Sequence, residues 1–239
     1  MSIIKIENLC KNFNTKQALK NVSFDIKEGE LFGLLGVNGA GKTTLIKILC
    51  CLTKKTSGTA VVNAFNIDTE ALKVKEIIDI SPQETSVANN LTVKENLEFF
   101  ANIYGNKNTS IINEVIETFK LQEVLNQQAK TLSGGYKRKL SIAIALISKP
   151  KILFLDEPTL GLDVFARREL WKIINTLKNK ITIVLTSHYL EEIEFLCDRV
   201  AILSKGSLLK IGTIDEIKHE TGKQTFEDAF ISLVEGENE

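Results

Sequence analysis

The sequence of 239 residues has no net charge and no long hydrophobic run. Thirty basic residues balance thirty acidic ones, so no overall electrostatic attraction to nucleic acid or to an anionic membrane surface exists, and we expect no nucleic-acid partner. The longest apolar runs, residues 142–147 and 181–185, are far shorter than the ~20 residues that span a bilayer. We therefore expect both runs in the core.

The chain also has few cysteines, and they do not form a recognisable framework. Their positions show neither paired metal-ligand spacing nor the density of a disulfide scaffold, so we predict reduced thiols. These residues are Cys10, Cys50, Cys51 and Cys197. The first residues lack a basic region followed by a long apolar stretch, so we expect no secretory signal and a cytoplasmic location.

The most informative motif occupies residues 36–43, where a glycine and four further residues precede Gly-Lys-Thr. It follows the apolar run 31–35 and precedes the amphipathic stretch 42–52, which is the strand, loop and helix context that a phosphate-binding loop needs. Its glycines permit positive φ angles, so N–H groups can converge on an anion at the helix N-terminus. The motif predicts ATP or GTP as ligand.

Two side chains of this loop have distinct predicted roles. Lys42 reaches the β and γ phosphates, and the hydroxyl of Thr43 binds Mg²⁺, which prefers hard oxygen ligands. The predicted nucleotide-binding residues of the loop are Gly36, Val37, Asn38, Gly39, Ala40, Gly41, Lys42, Thr43 and Thr44.

Hydrophobic periodicity predicts an α/β fold. Alternating stretches at residues 3–9, 22–26 and 59–62 indicate an N-terminal antiparallel β layer. Continuous apolar runs indicate strands buried on both faces, and hence a mostly parallel core sheet. These runs are residues 31–35, 152–155, 181–185 and 199–203.

The spacing of apolar residues becomes helical between residues 91 and 125. We interpret this as a helical subdomain inserted into one domain, residues 1–239. The predicted parts are an ATP-binding core at 1–83 and 149–225, a helical subdomain at 84–148 and a C-terminal tail at 226–239.

Polar residues follow two of the predicted core strands, where ligands of parallel sheets bind. Asp156 and Glu157 follow the run 152–155, and acids there need a cation or a polar site. We predict that Asp156 holds Mg²⁺ through water and that Glu157 orients or deprotonates an attacking water. His188 follows the run 181–185 and is predicted to contact the γ phosphate.

A second anion-binding helix start is predicted at Ser133, Gly134 and Gly135, because a serine can cap a helix while backbone N–H groups remain free. Three cations, residues 137–139, lie in the first turn, where the helix dipole disfavours them. Either a nearby phosphate or exposure to solvent would relieve that cost.

Six segments together resemble the ABC ATPase family in identity, order and spacing, over nearly the whole chain. They are the phosphate loop, Gln83, the Leu-Ser-Gly-Gly segment at 132–135, residues 152–157, Gly161-Leu162-Asp163 and His188. Tyr136 and Ala64 depart from the usual Gln and Gly. Residues 187–192, 197–199 and 225–230 further resemble ATPase subunits of type-two ABC exporters.

The resemblance implies a P-loop NTPase of the ABC ATPase type that acts as a dimer. ATP would lie between the phosphate loop of one subunit and Ser133–Gly135 of the other, a homodimer partner or a paralogue. By the same resemblance, Phe13 stacks on adenine, Gln83 joins the Mg²⁺ shell, and Asp163 organises the dimer interface.

A role in export would require a separate transmembrane permease, docked near Gln83, and would place the chain on the cytoplasmic face of the membrane. The cargo, the direction of transport and the composition of the dimer stay open. Two alternatives are a soluble ABC ATPase acting on ribosomes or DNA, and a regulatory or scaffold ATPase. The sequence has neither the second nucleotide domain typical of translation-type relatives nor the long coiled coil of chromosome ATPases.

Overall fold

The computed structural model describes residues 1–105 and 109–236. In chain order, the strands are β1 (Ser2–Phe13), β2 (Lys16–Lys27), β3 (Leu31–Leu35), β4 (Ser57–Val62), β5 (Phe65–Asn66), β6 (Ile78–Ser81), β7 (Ile152–Asp156), β8 (Thr182–Ser187), β9 (Arg199–Ser204) and β10 (Ser207–Gly212). The α-helices are α1 (Lys42–Leu49), α2 (Ala71–Ile77), α3 (Val93–Ile103), α4 (Thr109–Phe119), α5 (Gly134–Ile147), α6 (Val164–Leu177), α7 (Leu190–Leu196), α8 (Ile214–Thr221) and α9 (Phe226–Glu235).

The N-terminal strands form an antiparallel sheet in the order β2-β1-β4-β5. One face of it is buried, as alternation predicted: Ile4 and Ile6 are inaccessible, whereas Lys5 between them is exposed. The predicted antiparallel layer is therefore confirmed, although β1 and β2 extend further than the alternating stretches.

The core sheet has the order β10-β9-β3-β8-β7-β6, and its strands run parallel from β9 to β6. Strands β3, β7 and β8 are buried along their whole length, which explains their continuous apolar sequences. The sequence did not predict the edge strands β6 and β10. The first carries Asp79 within a run of only four residues, and the second is half-exposed and antiparallel.

The predicted helical segment packs directly on this sheet. Leu97 of α3, Phe119 of α4 and Leu140 of α5 belong to the same buried cluster as Leu153 and Leu155 of β7. The helices therefore share one hydrophobic core with the sheet. The subdomain limits at 84 and 148 stay a prediction.

The C-terminal segment, residues 226–239 in the predicted organisation, contains helix α9. Thr225 caps this helix, since its hydroxyl accepts a hydrogen bond from the N–H of Asp228 at 3.1 Å. Phe226 and Ala229 are buried in the main core cluster. As far as Glu235, the segment is thus part of the packed fold.

The four cysteines are free thiols, as predicted. Within the two described ranges, no helix combines the length and the hydrophobicity that crossing a membrane requires.

Candidate functional site

A cavity of about 520 Å³ opens at the carboxyl edge of the core sheet. It is lined by Phe13, Lys16, Ala18, Asn38, Gly39, Ala40, Gly41, Lys42, Thr43, Thr44, Gln83, Glu157, Leu160 and His188. Residues predicted from five parts of the sequence therefore meet in one place. Gly36 and Val37 belong to the same loop but do not line the cavity.

The backbone of the loop requires glycine at two positions. A Cβ on Gly36 would lie 2.3 Å from the carbonyl oxygen of Leu203. Gly41 has φ +107°, and a Cβ there would lie 2.7 Å from the carbonyl oxygen of Ala18. Because the loop packs this tightly and α1 starts at Lys42, the free N–H groups at the helix start adjoin the cavity.

Lys42 is buried within the loop, with an exposed fraction of 6%. Its ammonium donates to the carbonyl oxygen of Gly36 at 2.6 Å and lies 3.3 Å from Oε1 of Glu157. A buried cation needs such compensation. The contacts hold the charge between the loop and Glu157, which directly follows β7.

Asp156 contacts two hydroxyl groups. Its Oδ1 accepts hydrogen bonds from Oγ1 of Thr186 at 2.6 Å and from Oγ1 of Thr43 at 3.1 Å. A carboxylate and a hydroxyl at this distance fit Mg²⁺, which binds one or two carboxylates and keeps several waters. Gln83 lines the cavity, and its side chain carries an amide oxygen. The residues present thus fit a magnesium ion.

Glu157 is held in an uncommon backbone conformation, with φ +49°, and is 6% exposed. Its N–H donates to Oγ1 of Thr186 at 2.9 Å, and its Oε2 lies 2.7 Å from Nδ1 of His188. The tautomer of His188 decides which of the two groups donates in this contact. A positive φ at a residue other than glycine costs about 1–3 kcal/mol and is typical of functional positions.

Asp156 adjoins Thr43 but does not itself line the cavity, and the remaining predicted site residues lie outside it. Ser133 caps α5, with its Oγ accepting from the N–H of Tyr136 at 3.4 Å, and both Ser133 and Gly134 are exposed. Asp163 caps α6 by accepting from the N–H groups of Phe165 and Ala166. Within one chain, Ser133–Gly135 and Asp163 therefore do not line the cavity beside the phosphate loop.

Residues 19–160, more than half of the chain, match the model of the ABC transporter family. The chain belongs to this family. Its phosphate loop, Asp156 and Glu157 all fall inside the matched segment, and the cavity is that of an ABC-type ATPase cassette.

Two relatives and one solved structure support the assignment. The probable multidrug ABC transporter ATP-binding protein YbhF of Escherichia coli is 37% identical over 242 residues, which cover 98% of this chain and 42% of the relative. The linearmycin resistance ATP-binding protein LnrL of Bacillus subtilis is 39% identical over 227 residues, covering 93% of this chain and 73% of the relative. A dimeric ATP-binding cassette in a post-hydrolysis state with ADP and Pi has a TM-score of 0.78 at 27% identity, covering 88% of this chain and 98% of that one.

This chain thus spans less than half of the length of its E. coli relative. The P-loop NTPase fold of the ABC ATPase type, predicted from the six segments, is confirmed by the family match and by the solved cassette.

Several residues of the cassette were missed by sequence reasoning. Lys16 and Ala18 of β2 and Leu160 line the cavity without belonging to any motif that we used. Thr186 donates a hydrogen bond to the carboxylate of Asp156 and accepts one from the N–H of Glu157. The sequence does indicate this residue, because it stands at the end of an apolar strand directly before Ser187 and His188.

Of the two expected sources of relief for the cations at the start of α5, exposure to solvent is wrong for two of them. Arg138 and Lys139 are each 4% exposed, so solvent does not screen them. Arg138 donates to backbone carbonyls, and Lys139 pairs with the carboxylate of Glu169 at 2.8 Å. Internal protein groups therefore satisfy them, and no bound phosphate is needed.

A third buried acid, Glu192 of α7, lies behind the site. It is inaccessible to solvent and accepts a hydrogen bond from Nε1 of Trp171 on α6 at 2.8 Å. Burial raises the pKa of the Glu192 carboxyl, and the hydrogen bond from Trp171 lowers it by less. The folded protein therefore binds this proton more tightly than the unfolded chain does.

We predict that Glu192 makes stability depend on pH. The unfolded chain loses this proton above the ordinary pKa of 4.5, whereas the folded protein retains it to higher pH. The contribution of Glu192 to the free energy of unfolding is fully present below pH 4.5, and it falls as the pH rises toward the folded-state pKa. The fall is at most about 1.4 kcal/mol per pH unit. Denaturant unfolding from pH 5 upward measures it.

Glu192→Gln should abolish this fall, because the amide stays neutral and keeps an oxygen for Trp171. Glu194→Gln, on the exposed face of the same helix, is the matched control and should follow the native pH dependence. Identical pH dependence in the native protein and in Glu192→Gln would contradict the prediction.

Proposed function

We propose that this chain is the ATP-hydrolysing subunit of an ABC transporter and that it drives substrate movement through a separate membrane permease. The observation that carries the proposal is the placement of Glu157 at the cavity wall, between the ammonium of Lys42 at 3.3 Å and the imidazole of His188 at 2.7 Å. A buried carboxylate so oriented beside a phosphate loop suits activation of a water for attack on phosphorus.

In the proposed reaction, water attacks the γ-phosphorus of ATP and the bond to the bridging oxygen breaks, giving ADP and inorganic phosphate. Glu157 orients the water and accepts its proton, while His188 fixes the carboxylate and contacts the γ phosphate. Lys42 compensates phosphate charge. Mg²⁺, held by Thr43, Gln83 and Asp156, would supply further neutralisation of that charge.

We propose that Phe13 carries the adenine. It lies at the cavity margin with 46% of its surface exposed, and the ammonium of Lys11 lies 4.5 Å from its ring centroid. An exposed aromatic ring beside a phosphate loop offers a face for stacking.

A second ATPase subunit, identical or a paralogue, is proposed to complete the site. Ser133–Gly135 and Asp163 lie outside the cavity of their own chain, and the exposed helix start suits a phosphate presented by another chain. The dimeric state of the solved cassette supports this arrangement. ATP would favour the closed dimer, and hydrolysis would release it.

Export by a separate permease is the favoured coupling, because the names of the two relatives refer to a multidrug transporter and to linearmycin resistance. In that role the chain would lie on the cytoplasmic face of the membrane. Gln83 is exposed at the junction between core and helices, where a permease contact could reach the site.

Glu157→Gln should retain ATP binding and reduce turnover by about a hundredfold or more, because the amide has the same shape but cannot accept the proton. It should also accumulate a closed dimer with ATP and Mg²⁺. Phosphate release and size-exclusion chromatography measure both effects. Glu191→Gln, exposed at the start of α7, is the control. Native turnover in Glu157→Gln would refute the assigned role.

Affinity purification of tagged Glu157→Gln from native membranes with ATP and Mg²⁺ tests the transport proposal. Mass spectrometry should identify a polytopic membrane protein that is not recovered with the untagged chain. Ribosomal proteins, DNA-bound proteins or exclusively soluble partners would instead support the alternative of a soluble ABC ATPase.

A further inference from the structure

Arg138 is a buried cation whose hydrogen bonds go to backbone carbonyl oxygens. It lies on α5, one turn after Ser133–Gly135, and is 4% exposed. Nη1 donates to the carbonyl of Pro82 at 2.6 Å, and Nη2 donates to the carbonyls of Gln83 at 2.6 Å and of Glu157 at 3.4 Å. One guanidinium thus contacts two separate segments of the cavity wall.

The contacts fit arginine specifically. Its planar guanidinium presents several N–H donors in a fixed fork, whereas a lysine ammonium is a compact point charge. Burial lowers the pKa of Arg138, and the negative charges of Asp156 and Glu192 oppose that effect. The guanidinium therefore remains a cation in a place where carbonyl dipoles and nearby carboxylates offset its desolvation.

The three partners belong to the parts of the site that must act together. Pro82 and Gln83 follow β6, and Glu157 follows β7, while Arg138 is fixed to the helix that starts at Ser133. A buried contact between the hydroxyls of Ser81 and Ser141 at 3.0 Å joins the same two elements, β6 and α5. A displacement of the start of α5 would consequently move the Gln83 segment and the backbone of Glu157.

We propose that Arg138 is a positioning residue that couples the helix start at Ser133–Gly135 to Gln83 and Glu157. This inference rests on the proposed hydrolytic function. Arg138 itself does not line the nucleotide cavity, so its loss leaves the contact of Lys42 with Gly36 in the phosphate loop in place. Its loss removes the fixed relation between the catalytic carboxylate and the surface that a second subunit would contact.

The test compares Arg138→Met, Arg138→Lys and the control Arg168→Met, which removes an exposed arginine from α6. Arg138→Met should lower kcat by about tenfold to a hundredfold, the effect of a small misplacement of catalytic groups, with the Kd for ATP changed less than about threefold. Arg138→Lys should restore only part of kcat, since one ammonium cannot reproduce the fork. Arg168→Met should match the native protein.

Amide hydrogen exchange gives a second readout that does not depend on turnover. Arg138→Met should exchange faster in the peptides around residues 82–86 and 133–137, while the peptide of the phosphate loop is unchanged. If the methionine variant does not fold, the lysine variant, which keeps the buried charge, is compared in the same two assays.

A folded Arg138 variant with the same kcat and the same amide exchange as the native protein would overturn the inference. Equal losses of kcat and of ATP affinity would also overturn it. Full recovery of kcat by lysine would also overturn it. If the native protein itself fails to hydrolyse ATP, the proposed function is wrong, and the exchange at residues 82–86 still decides whether Arg138 positions that segment.

Discussion

Two carboxylates at the end of a fully buried strand impose the main constraint on this structure. Asp156 and Glu157 are 3% and 6% exposed, and acids in such places must be compensated by hydrogen bonds or by cations. The compensation comes from α1 through Lys42 and Thr43, and from the end of β8 through Thr186 and His188. The need to satisfy both acids therefore brings the phosphate loop and two core strands into one site.

The parts of this arrangement that depend on local pattern could be predicted from the sequence. Continuous apolar runs mark β3 and β7, and the spacing of the phosphate loop marks the start of α1, because these signals lie within a few neighbouring residues. The edge strands β6 and β10 gave a weaker signal, since edge strands are short or half-exposed.

Partnerships across long sequence separations could not be predicted. Arg138 was visible as one of three consecutive cations, but its partners lie 55 and 56 residues away on the chain and are backbone carbonyls, which carry no residue signature. The same applies to the hydrogen bond between Trp171 and Glu192. Sequence pattern thus gives the groups that are proposed to act on a nucleotide, whereas the groups that hold them in place emerge only from the fold.

The most direct test of whether the loop binds the phosphates is a titration with ATP and Mg²⁺. It compares the native protein with the variants Lys42→Ala and Lys47→Ala. Lys47 lies exposed on the same helix and is the matched control. Burial of Lys42 at the cavity predicts saturable binding by the native protein and the control, and a loss of roughly 2 kcal/mol or more, about thirtyfold in Kd, for Lys42→Ala. Equal affinity in all three proteins, or no binding by the native protein, would contradict a nucleotide site at this edge of the sheet.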